Sequence, residues 1–179
     1  MTKQGLPSTA TEASERPTEP IRDEHRELLP HIDELRALGE AAEPGSQELG
    51  DRLGAAVEFL QGHLLVHAQA EDQVLYPAVA RLMGAPQATA TMSHDHAAVA
   101  RLISELTTLK HTIGARAATP AELASLRRLA FGLYALITVH FAKEEEVYLP
   151  LLDTHLTSEA ASDLYAEMER AAAKIRQAQ

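Results

Sequence analysis

The chain has 179 residues, a formal net charge of −10 and no cysteine. The acidic balance argues against nucleic acid and anionic lipid as partners. The lack of thiols excludes disulfides, thiolate metal sites, iron–sulfur clusters and cysteine nucleophiles, so any metal must be held by His, carboxylate or Tyr. Hydrophobic residues make up 45% and aromatic residues only 4%, a balance that favours packed helices over sheets and suffices for one sizeable core. No apolar run approaches the length of a membrane span, and the N-terminus lacks the apolar stretch of a signal peptide, so a cytoplasmic protein is expected.

Residues 1–19 are rich in Thr, Ser, Glu and Pro and are expected to form a disordered tail. A helical pattern begins near Pro20 and runs to about Ala42, where Glu43-Pro44-Gly45 breaks it. Ser46 is the expected N-cap of a long second helix reaching Met83, with Gly84 as its stop and Pro77 kinking or ending its main body. Pro86 suits the first turn of a third helix that extends to about His111 or Ile113. Thr119-Pro120-Ala121-Glu122 is a capping-box start for a fourth helix, predicted to run to Leu149, where Pro150 interrupts it. After Thr157-Ser158-Glu159 comes a fifth, amphipathic helix with Leu164, Met168 and Ile175 on its apolar side. These elements predict an all-α fold: an antiparallel up-down-up-down four-helix bundle over residues 20–155, with an additional C-terminal helix over 156–179 packed on it.

The two halves of this pattern repeat each other. His25, Leu28, Ile32, Leu35 and Leu38 recur 71 positions later as His96, Val99, Ile103, Leu106 and Leu109. His67, Glu71, Val74 and Pro77 recur 73 positions later as His140, Glu144, Val147 and Pro150. Each half thus contributes one His that extends an inward apolar stripe, and one HxxxE pair whose members share a helix face. Singly, such residues are usually hydrogen-bonded core or surface groups. Together, four imidazoles and two carboxylates on converging faces suit two metal ions, with His capping each ion and the carboxylates bridging. Iron, manganese and zinc all accept this donor set.

At these residues the chain resembles the hemerythrin-like, HHE cation-binding family. The resemblance lies in Asp23-Glu24-His25-Arg26-Glu27-Leu28, His67-Ala68-Gln69-Ala70-Glu71 with Tyr76-Pro77, Asp95-His96, and His140-Phe141-Ala142-Lys143-Glu144. It implies an oxo- or hydroxo-bridged pair of iron ions that meets O2, peroxide or NO, with His25, His67, Glu71, His96, His140 and Glu144 as ligands. Longer-motif members carry a further His four residues from the third-helix ligand. Here those positions hold Met92 and Ala100, a departure from the oxygen carriers. Those relatives also place the last carboxylate five residues after its His, which would select Glu145; the internal repeat selects Glu144.

His63, one turn before His67, is a candidate extra ligand. His31, His94, Tyr76 and Tyr148 are candidates for flanking, gating or supporting positions, whereas His111 and His155 read as surface residues. Two functions fit this reading: a binding, sensing or iron-handling protein, or an oxidoreductase that consumes peroxide or NO or activates O2 on a small substrate. The His pattern excludes a bundle with no metal chemistry. Oligomeric state is not encoded in any motif.

Overall fold

The computed structural model of the chain describes residues 16–43, 48–113 and 118–178. Every regular element among the described residues is helical, and none of these helices is long and apolar enough to cross a membrane. Helix α1 spans Glu19–Glu40. Helix α2 covers residues 48–82 as three α-helical stretches, Glu48–Phe59, Leu65–Ala70 and Tyr76–Leu82, joined by wide π-helical turns at Leu60–Leu64 and Glu71–Leu75. Helix α3 is Ala90–Ile113. Helix α4 covers residues 120–155, with a π-helical turn at Glu144–Tyr148 between Pro120–Lys143 and Leu149–His155, and α5 is Ser158–Ala178.

The four long helices form a bundle in which α1 and α3 each pack against both α2 and α4. The inward stripes read from the sequence are buried: Leu28, Ile32, Leu35 and Leu38 of α1 meet Val99, Ile103 and Leu106 of α3 in the larger apolar cluster, while Leu109 packs half-buried at its edge. A smaller cluster gathers Ile21, Leu75, Tyr76, Val79, Met92, Leu149 and Leu152. The His and Glu residues of the repeat fall in sequence between the members of these two clusters on all four helices, so the polar layer has an apolar seal on each side. Helix α5 lies on residues 65–75 of α2 through Ala161, Leu164, Met168 and Ala171, with Ile175 half-buried.

Helix boundaries follow local chemistry, with three corrections. Gly84 does end α2: its φ of 60° closes the turn, and the Ala85 amide reaches the Ala80 carbonyl at 3.1 Å. Pro86 does not open α3. It sits in a turn closed by the Ala88 amide to the Ala85 carbonyl, and the helix begins four residues later at Ala90. Pro77 and Pro150 end neither α2 nor α4. Each stands just behind a π turn, where the ladder is already offset by one residue, so a residue without an N–H does not break it. The expected cap Ser46 lies outside the described residues. At the N-terminus, ordered contacts precede Pro20: Thr18 is buried and donates its amide (2.9 Å) and hydroxyl (2.8 Å) to Asp153.

The capping box at α4 is present. Thr119 Oγ1 accepts from the Glu122 amide at 3.3 Å, and Glu122 accepts from the Thr119 amide at 2.8 Å. Thr119→Ala should therefore lower unfolding free energy by about 1 kcal/mol. Chemical denaturation checks this, and an unchanged midpoint would show that the cap contributes nothing.

Candidate metal centre

Four imidazoles and two carboxylates from four helices meet in the polar layer, and all six side chains are buried: His25, His67, His96, His140, Glu71 and Glu144. Two donor triads lie within 4.8 Å internally, His25–His67–Glu71 and Glu71–His96–His140. Glu71 belongs to both. Its Oε1 is 3.1 Å from His67 Nε2 and 3.8 Å from His25 Nε2, and its Oε2 is 3.4 Å from His96 Nε2. Glu144 joins the halves a second time, with Oε2 3.5 Å from His25 Nε2 and Oε1 3.5 Å from His140 Nε2.

Five of the inward-facing atoms lack hydrogen-bond partners. His25 Nε2, His67 Nε2, both oxygens of Glu71 and Glu144 Oε2 are sealed from solvent and make no hydrogen bond. Each such group costs about 1–3 kcal/mol if left unsatisfied, and lone pairs converging on one point suit a cation. Electrostatics agree. Burial alone would strip His25 and His96 of their protons, yet the carboxylates of Glu145, Glu71 and Glu144 at His25, and of Asp72 and Glu71 at His96, lift both pKa values to about 9. His67 is likewise raised against its burial by Glu71 and Glu24, and Glu71 is held well below the usual carboxylate range despite burial by His67, His25 and His96. This field favours positive charge at the cluster.

Each imidazole turns its other nitrogen to an outer carboxylate: His25 Nδ1 to Glu145 (2.8 Å), His67 Nδ1 to Glu24 (3.2 Å), His96 Nδ1 to Asp72 (3.0 Å) and His140 Nδ1 to Asp95 (3.2 Å). The hydrogen-bonded partners at His25, His96 and His140 fix ring orientation with Nε2 turned inward, and Glu24 faces His67 Nδ1 as an ion pair without a hydrogen bond. They obey the same repeat as the inner residues: Glu24 and Asp95 are 71 apart, Asp72 and Glu145 are 73 apart. The support continues outward, with Arg22 paired to Glu145 and Ser93 Oγ donating to Asp72 at 2.6 Å. Sequence reading reached only Glu145 among these carboxylates. The signal for the others was available, since each stands next to an inner residue and recurs with it.

The π turns explain Tyr76. Five residues along an α-helix rotate a side chain by about 140°, which would aim Tyr76 away from Glu71. The wide turn instead bonds the Tyr76 amide to the Glu71 carbonyl and returns the two to one side. The Tyr76 hydroxyl then donates to Glu144 Oε1 at 2.6 Å and stands 3.3 Å from His96 Nε2 and 3.1 Å from His140 Nε2. At the equivalent position of the other half stands Leu149. There the His25 ring stacks on Phe141 at 4.4 Å, so the two halves differ in polarity.

The remaining candidates lie elsewhere. His63 is exposed and is not in either donor triad: its ring faces Phe59 at 5.9 Å, and His31, also exposed, stacks on Phe59 at 4.4 Å. The pitch of His63 along the helix suggests an inward position, but the π turn at Leu60–Leu64 rephases it relative to His67. His94 is exposed, and the Tyr148 hydroxyl donates to the Ala88 carbonyl at 3.3 Å rather than to the cluster. Glu145 points outward to His25 Nδ1 and Arg22.

No curated protein and no solved structure gives a significant match to the chain. The description of the hemerythrin HHE cation binding domain, by contrast, matches residues 16–152. That stretch contains all six inner residues and all four outer carboxylates, and the chain belongs to the hemerythrin HHE cation-binding family.

Proposed function

We propose that this chain holds two iron ions, one at His25 and His67 and the other at His96 and His140, sharing Glu71 and Glu144, in an up-down-up-down bundle. The observation that carries the reading is that Glu71 belongs to both donor triads while neither of its oxygens has a hydrogen-bond partner. Imidazole and carboxylate donors suit iron, and iron so bound would supply the redox chemistry for meeting O2, peroxide or NO. The protein's own residues hold and orient. The outer carboxylates orient the His rings, Phe141 and the two apolar clusters exclude bulk water, and Tyr76 presents a hydroxyl beside His96 and His140. A small ligand would thus meet the polar Tyr76 hydroxyl, itself bonded to Glu144, on the His96–His140 side and an apolar surface on the other. A second reading, oxidation of a small organic substrate, is favoured by a cavity that reaches Tyr76 from outside.

Protein purified from iron-supplemented expression should carry about two iron atoms per chain, following from two donor groups that share their carboxylates. Elemental analysis tests this. A reproducible single equivalent, or zinc alone, would overturn the di-iron reading.

A further inference from the structure

Beside the polar layer, a cavity of about 520 Å³ opens between the last turns of α2 and the start of α3. That volume lies in the range of about 300–1,000 Å³ found for small-molecule sites. Its walls are largely apolar, with Pro77, Pro86 and Tyr76 among them, and four polar side chains, Asp72, Ser93, Arg81 and Thr89, decide what chemistry it accepts. Asp72 is spent, because one oxygen accepts from Ser93 at 2.6 Å and the other lies 3.0 Å from His96 Nδ1. Arg81 is exposed and has no ion pair or hydrogen bond among the described residues. Thr89 is only 6% exposed, lines the cavity, and its hydroxyl has no hydrogen-bond partner among the described residues. An unpaired guanidinium and a hydroxyl open to the cavity are the donors a carboxylate requires.

We infer that this cavity binds a small monocarboxylic acid with a compact apolar body, the carboxylate held by Arg81 and Thr89 and the body lying on Pro77, Pro86 and Tyr76. An amine finds no free acceptor, because both oxygens of the one acid in the wall already face Ser93 and His96. Since the chain carries a net charge of −10, recruitment of the acid depends on these local donors and not on the overall field. The occupant rests on the ring of Tyr76, whose hydroxyl bonds Glu144 on its far side. That link to the metal centre rests on the di-iron reading; binding of the acid does not.

Benzoate is the probe, titrated into the full chain before and after iron loading and followed by calorimetry. Benzamide and benzylamine serve as neutral and cationic counterparts of the same shape. Benzoate should bind saturably and about tenfold or more tighter than benzamide, as expected for a charge-assisted contact. Arg81→Ala should weaken benzoate about tenfold and Thr89→Val about threefold, whereas Arg101→Ala on the exposed side of α3 should change nothing. Unchanged benzoate affinity in Arg81→Ala, no preference over benzamide, or preference for benzylamine would each overturn the assignment. The metal-free titration decides the site even if the chain takes up no iron. In iron-loaded protein, a benzoate-dependent shift of the near-ultraviolet absorption adds the link through Tyr76.

Discussion

Glu71→Ala should empty both metal positions, whereas His67→Ala should empty one. Glu71 is fully buried and lies within reach of His25 and His67 through Oε1 and of His96 through Oε2. Its removal takes a donor from both triads at once. His67 touches the cluster only beside Glu71 Oε1, and without it the Glu71–His96–His140 group is intact. Outer partners of metal-binding imidazoles already cost about 10–100-fold in affinity when lost, and a shared inner carboxylate should cost more than that at each ion. Iron titration with elemental analysis should give well under one iron per chain for Glu71→Ala and about one for His67→Ala. The reverse order would refute the sharing of Glu71.

Neighbouring glutamates on α4 should behave differently. Glu144 faces inward, bridges His25 and His140, and accepts the Tyr76 hydroxyl. Glu144→Gln keeps the shape but removes the charge that two cations would share, so affinity should fall at both positions. Glu145 is one-third exposed and reaches the cluster only through His25 Nδ1, steadied by Arg22. Glu145→Gln should therefore weaken only the His25–His67 ion, by about 10–100-fold. Two-step iron-binding isotherms of the variants separate these outcomes. Loss of both steps in Glu145→Gln, with both retained in Glu144→Gln, would move the inner carboxylate one residue along α4 and place this centre with the oxygen carriers.

The amino-acid sequence by itself determined the helical class, the inward stripes and the inner residues. Each of these is a periodicity: apolar groups recurring every three or four residues, and an HxxxE pair that recurs in the second half with the same spacing. Such signals survive because an α-helix converts spacing into facing. The same rule failed where the helix is not α. The π turns at Leu60–Leu64, Glu71–Leu75 and Glu144–Tyr148 each insert a residue into the hydrogen-bond ladder. They carry Pro77 and Pro150 within continuous helices, turn His63 to solvent, and bring Tyr76 beside Glu144 while Tyr148 bonds Ala88. Only the tertiary structure decided these placements, together with the pairing of each imidazole to a carboxylate on another helix. Which helix supplies that carboxylate depends on packing between elements distant in sequence, and no local spacing encodes it.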